Sequence, residues 1–156
     1  MNKAQLQQLV CERLETDLAL IIRAAQAAHQ AATDEESKAE NKYDTRGLEA
    51  SYLAAGQSRR VEEIRQALAA WRNLQLREFD EELGIQLGTL VWLQTADGRR
   101  QCLLLGPDGA GLKLPGEDGE IILITPRAPL GQQLLGLGVG DEVNAGKERW
   151  AILQVL

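Results

Sequence analysis

Histidine is almost missing from this chain. His29 is the only one in 156 residues, and it sits among alanines. No histidine-rich metal site, His-Glu-x-x-His motif or Ser-His-Asp triad is available, so His29 reads as a surface or packing residue. Cysteine is scarce as well. Cys11 and Cys102 lie in different regions without Cys-x-x-Cys spacing, and two reduced, buried thiols are expected. Aromatics make up only 4% of the chain. Ala and Leu dominate the apolar share, which suits thin helix–helix seams better than one thick core. No run approaches the ~18 apolar residues of a membrane span. The polar start Met1-Asn-Lys-Ala-Gln has no signal-peptide core, so a soluble, cytoplasmic protein with no membrane partner is expected. An excess of positive charge is missing too. The net charge is −6. Residues 1–83 hold 11 basic and 15 acidic side chains, and residues 84–156 hold 6 and 8. Neither half is a basic module, so strong binding to free DNA is not expected.

The first third of the chain carries helix periodicity. Leu6, Val10, Leu14, Leu18, Ile21, Ala25, Ala28 and Ala32 recur at steps of three or four, a narrow seam for a helix over residues 3–32. The seam shrinks from Leu and Ile to Ala, and small residues let two helices approach closely. Residues 33–46 break the pattern with five acids, three bases and almost nothing apolar, and read as a turn. Thr33 and Glu36 have capping-box spacing. A second helix is expected over roughly 47–81, with Leu53, Val61, Ile64, Leu68 and Trp71 as its seam and Gly84 as its end. Two arms around an acidic tip make an antiparallel hairpin, each arm about 45 Å long at ~1.5 Å per residue.

Beyond Gly84 the periodicity changes. Apolar runs 87–93, 101–105, 111–114 and 120–124 are separated by turn signals, which predicts a β meander. Asp97-Gly98 is a two-residue hairpin signal. Pro129–Leu135 reads as a short helix, and Glu142-Val143 and Arg149–Val155 as final strands. The fold class is therefore α+β, with a helical hairpin over 1–83 and a small β domain over 84–156.

Catalytic signatures are few. Gly136-Leu-Gly-Val-Gly140 lacks the spacing of a phosphate loop and precedes a strand, and Gly146-Lys147 is followed by Glu148 rather than Ser or Thr. Both read as turns. The acidic tip holds Asp34, Glu35, Glu36, Glu40 and Asp44. By composition it is a solvated loop. By placement it is a set of carboxylates at the end of an arm, able to share a divalent ion held mainly by another protein. It forms no complete cage, so no tightly bound cofactor is expected. Arg59, Arg60 and Arg65 on the second helix suit phosphate contact, although Glu62 and Glu63 between them make a salt-bridged surface the simpler reading. Tyr43 and Tyr52 flank the tip and serve equally as partner contacts or as packing across the hairpin.

One segment carries a resemblance. From Ile124 to Val143 the chain runs strand, Pro-containing turn, short helix, Gly-rich turn and strand entry. Ala128-Pro129, Leu134-Leu135-Gly136 and Gly140-Asp141-Glu142-Val143 fill the places of a Ser-Pro pair, a Leu-Ile-Gly helix end and a Gly-Asp-(Glu/Asp)-Val strand entry. In this order the segment resembles the C-terminal domain of the Gre-type bacterial transcription elongation factors. They too place a two-helix coiled coil before this domain, which in the family is FKBP-like. The tip departs from the cleavage-active pattern Gly-Asp-Leu-Lys-Glu-Asn-Ala-Glu-Tyr. Aligning Glu40-Asn41-Lys42-Tyr43 puts Ser37 where an acid stands, and aligning Glu49 with Tyr52 leaves Asp44 five residues away rather than three.

The resemblance implies a divergent Gre-like factor that is not an enzyme on its own. Its partner would be RNA polymerase, docked through Pro126, Ala128, Pro129, Gly136, Asp141 and Glu142. The hairpin would enter the secondary channel. Glu40 and Asp44, with Glu36 and Glu49 as alternates, would share Mg²⁺ with the polymerase and stimulate cleavage of backtracked RNA. Arg59, Arg60 and Arg65 would be the RNA contacts, nascent RNA being met only through the polymerase. Two other readings stay open: a non-catalytic secondary-channel regulator of initiation or pausing, and an unrelated coiled-coil interaction module.

Overall fold

A computed structural model of the chain describes the backbone of residues 2–38 and 45–156, and the side chains of 2–27, 30–31 and 56–156. The order is α1 (Lys3–Lys38), α2 (Thr45–Asn73), β1 (Leu90–Thr95), β2 (Arg100–Leu105), β3 (Lys113–Gly116), β4 (Gly119–Ile124), α3 (Pro129–Leu134), β5 (Glu142–Ala145) and β6 (Glu148–Val155). The fold is α+β: two long helices, then a six-stranded sheet with one short helix. The chain divides into two compact units, one of Glu12–Leu68 and one of Met1–Cys11 with Ala69–Leu156.

The Glu12–Leu68 unit is helical. Leu14 of α1 and Val61, Ile64, Ala67 and Leu68 of α2 are buried, and Leu18, Ile21 and Ala25 are half-buried. The expected stripe is therefore the buried one where side chains are described; Ala28, Ala32 and Leu53 lie outside them. Helix α1 runs on to Lys38 rather than stopping near 32. Residues 33–38 contain no Gly or Pro, and Glu35, Glu36 and Lys38 are good helix formers, so loss of apolar periodicity does not end the helix. Thr33 consequently lies inside α1 and does not start a helix.

The reciprocal cap lies instead at the beginning of the chain. Asn2 Oδ1 accepts from the Gln5 amide at 2.8 Å, and Gln5 Oε1 accepts from the Asn2 amide at 2.9 Å. Each satisfies a donor at the helix start that has no partner within the helix. In this second unit Leu6, Val10 and Trp71 are fully buried.

Helix α2 ends at Asn73, eight residues before the expected 81. Side chains from α1 take one carbonyl of its last turn and two beyond its end. Gln7 Nε2 donates to the carbonyls of Trp71 and Leu74, both at 2.8 Å, and Lys3 Nζ donates to that of Arg77 at 2.6 Å. Those partners replace the amides of a further helical turn. Gly84 closes a turn rather than a helix, its amide donating to the Asp80 carbonyl at 2.8 Å.

The sheet order is β3-β4-β2-β1-β6-β5. All pairings are antiparallel except β2 with β4, which is parallel. The expected meander therefore fails at one step. After β2 the chain wraps the Trp71 indole: a Cβ on Gly106 would lie 2.2 Å from the ring, and Trp71 Nε1 donates to the Asp108 carbonyl at 2.8 Å. That detour replaces a tight hairpin, and β4 then enters beside β2 in parallel, with β3 outside it. The β1–β2 turn also differs from the two-residue expectation. Ala96, Asp97 and Gly98 form a three-residue turn in which Gly98 takes φ +91° and the Thr95 amide donates to the Arg99 carbonyl at 2.9 Å.

Strand alternation builds the core. Val91, Leu93, Leu103, Leu105, Trp150 and Ile152 pack with Ile85, Leu134 and Val143. Phe79 packs against this cluster. Between β1 and β6 the register shifts, Trp92 facing Gln154 and Leu93 facing Ile152. Leu153 is the extra residue of that bulge.

Candidate docking surface

The segment from Thr125 to Val143 is fixed from both sides. Ala128, with extended backbone (φ −80°, ψ 147°), precedes α3, and Pro129 occupies the first helical turn, where no amide is needed. Gly131 packs directly on the preceding strand end: a Cβ there would come 2.1 Å from the Thr125 carbonyl oxygen. Leu134 is buried in the core. The chain then turns at Gly136, whose φ is +82°. The Gly136 amide donates to the Ile85 carbonyl at 2.9 Å, and the Ile85 amide donates to the Leu137 carbonyl at 2.8 Å. The approach is so close that a Cβ on Gly84 would lie 2.3 Å from the Gly136 backbone.

Asp141 locks the other end of this loop. Its Oδ2 accepts from the Gly138 amide at 2.8 Å, its own amide donates to the Gly138 carbonyl at 3.1 Å, and its carbonyl accepts from Ile152 at 2.8 Å. The Gly140 amide donates to the Ile152 carbonyl at 3.0 Å. Glu142 is exposed and pairs with Arg149 at 3.5 Å. Of the six residues expected to meet a partner, Asp141 and Gly136 thus shape the loop. Pro126 and Ala128 are half-buried, while Pro129 and Glu142 are exposed.

What the sequence reading missed is the apolar surface around them. Val139 is 61% exposed, Leu83 55%, Leu153 41% and Leu135 38%. The backbone bonds tie their neighbours together: Gly84 lies against Gly136, and Gly140 is bonded to Ile152. Large exposed apolar side chains on a rigid loop expose area that a partner would cover. The sequence signal was present in Val139, a β-branched residue between two glycines of a turn.

The opposite sheet face carries a groove of about 840 Å³ whose lining includes Trp92, Arg99, Arg100, Cys102, Asp118 and Glu120. Its charges are largely answered within the rim. Arg99 pairs with Glu148 at 2.6 Å and Asp97 at 3.2 Å, and its guanidinium sits 5.9 Å from the Trp150 ring centroid. Lys113 lies 3.9 Å from Glu120. The Cys102 thiol is half-buried, and burial, helped by Asp118, pushes it up to about 11. Such a thiol is no nucleophile at neutral pH.

Glu40 and Asp44 lie outside the described residues. Glu36 belongs to α1 and Glu49 to α2, and their side chains also lie outside the described ones. Tyr43, Tyr52 and the His29 side chain share that position. Among the described residues no three His, Cys, Asp or Glu side chains gather as a metal site. The tip carboxylates that the resemblance assigns to Mg²⁺ lie outside the residues so compared. Arg59, Arg60 and Arg65 are exposed on α2. Arg60 pairs with Glu63 at 3.0 Å, whereas Arg59 and Arg65 have no ion pair among the described residues. No helix among the described residues is long and apolar enough to cross a membrane.

No protein-family model matches the chain, and no curated protein matches it. Solved structures do resemble it. GreA factor homolog 1 of Thermus thermophilus is 22% identical over 94% of both chains, with a TM-score of 0.38. The protein of the same name from Thermus aquaticus is 26% identical over 92% of both, with a TM-score of 0.36. A prokaryotic transcription elongation factor GreA/GreB from Nitrosomonas europaea is 22% identical over 59% of this chain and 78% of its own, with a TM-score of 0.37.

Proposed function

We propose that this chain is a Gre-like transcription factor that binds bacterial RNA polymerase through its β-rich unit, acting in the cytoplasm. The observation that carries the reading is the Leu135–Asp141 loop. It lies within the motif that resembles the Gre C-terminal domain, it is fixed by backbone bonds to Ile85 and Ile152, and it presents exposed Leu135 and Val139. A rigid apolar loop with a polar surround meets the general description of a protein docking surface. In this reading the helical arm enters the secondary channel, and Arg59, Arg60 and Arg65 are the candidate RNA contacts along it.

The stimulation of RNA cleavage is the finer part of the proposal. Glu40 and Asp44 would place carboxylates by the polymerase's Mg²⁺ and orient a water for attack on the phosphodiester, the polymerase owning the chemistry. Replacing both with Ala should leave polymerase binding unchanged and abolish stimulated cleavage of transcripts in halted elongation complexes. Cleavage that survives in the double variant excludes these two residues.

A second reading is favoured by a specific feature of the tip: neither alignment of it restores an Asp and a Glu three residues apart. A channel-entering regulator without cleavage activity would then alter initiation or pausing by occupancy. Robust cleavage of arrested transcripts by the wild-type protein rules this out.

A further inference from the structure

The β5 edge of the sheet is plugged by a side chain. Strand β5 pairs with β6 through a two-residue turn at Gly146-Lys147, with Ala145 opposite Glu148 and Asn144 opposite Arg149. In this register the amide and carbonyl of Asn144 point away from β6, off the edge of the sheet. Both are taken by one residue of α3. Gln133 Nε2 donates to the Asn144 carbonyl at 2.8 Å, and Gln133 Oε1 accepts from the Asn144 amide at 3.0 Å. A primary amide used in this way reproduces the donor and acceptor of a neighbouring strand. Both residues are exposed, so water would serve each group if satisfaction alone were needed.

We infer that the Gln133 amide is an intramolecular plug that keeps the β5 edge from pairing with β5 of a second copy of this chain. A second copy is the occupant that the edge fits best. Two β5 strands related by a two-fold axis at Asn144 exchange the same two bonds that Gln133 now makes, and isologous pairing needs one self-complementary patch. That register sets Glu142 opposite Gly146 of the other copy, beside Lys147, so no like charges face each other. The inference is independent of polymerase binding.

The test is the mass of the full chain across a concentration series by sedimentation equilibrium. Gln133→Met keeps the side-chain length without the amide, and Gln133→Ala removes it. Both should shift the monomer–dimer equilibrium at least tenfold toward dimer. Adding Asn144→Pro to either, which deletes the edge donor, should restore the monomer. Variants that stay folded and as monomeric as the wild type overturn the inference. Dimers that persist with Asn144→Pro overturn it too, since the contact would then not be strand pairing. Loss of fold in both single variants also contradicts it, because Gln133 would then hold α3 rather than guard an edge.

Discussion

Trp71 is the residue on which most of the second unit turns. It is fully buried, its indole nitrogen donates to the Asp108 carbonyl, and Gly106 has no room for a Cβ because of its ring. Trp71→Ala removes the packing and leaves the β2 exit without its support. A loss of about 3–5 kcal/mol is expected for a buried Trp, to be read by urea denaturation. Gly131 makes the same point about space. Gly131→Ala puts a methyl 2.1 Å from a backbone oxygen, and neither group can yield as a flexible side chain would. The variant should detach α3 and lower the melting temperature, while Gly111→Ala, which meets no neighbour but has φ +92°, tests strain alone.

Cys102 gives a pH prediction. Burial holds its thiol at about 11 against an ordinary 9.0. The folded protein retains the proton that the unfolded chain has already lost, so this group costs nothing below pH 9, and stability falls between pH 9 and 11. Alkylation reports the same shift, since only the thiolate reacts. At pH 8 Cys102 should react about a hundredfold more slowly in the native protein than in urea. Equal rates would mean the thiol is not shielded.

At the scale of elements, the start of α1 rests on the Asn2–Gln5 exchange. Asn2→Ala should cost about 1 kcal/mol, measured by thermal unfolding followed by circular dichroism. Element type was readable in the sequence because burial imposes a pattern: the α1 and α2 stripes, where side chains are described, and the apolar runs of β1 and β2 are where the apolar residues predicted them. Element ends were not. Where α2 stops at Asn73, the carbonyls of Trp71 and Leu74 are taken by Gln7 and that of Arg77 by Lys3, residues more than sixty positions earlier. The parallel β2–β4 pairing was equally hidden, since it depends on the chain wrapping Trp71 and not on any local turn signal. Asn2-x-x-Gln5 and Thr33-x-x-Glu36 share cap spacing, but only the first begins a helix, since Thr33 lies inside α1. In the candidate site the turns at Gly136 and Gly140 were legible from glycine alone. Val139 between two turn glycines carried a signal of exposure, whereas Leu135 did not, because apolar residues in a β-rich segment are normally assigned to its core.

At the scale of the whole molecule, the two units divide the proposed work. Met1–Cys11 with Ala69–Leu156 carries the docking loop, and Glu12–Leu68 carries the arms beside the tip. Docking and any effect of the tip are then separable by mutation. The central claim is docking on polymerase through the Leu135–Asp141 loop, and retention of bacterial core RNA polymerase on the immobilised chain tests it most directly. The comparison is between wild type and the folded double variant Leu135→Asp/Val139→Asp, which charges the apolar loop without touching its backbone bonds. The account predicts that the wild type retains the polymerase and that the double variant binds it at least tenfold more weakly. A wild type that retains none, or a double variant that retains it equally well, contradicts the account.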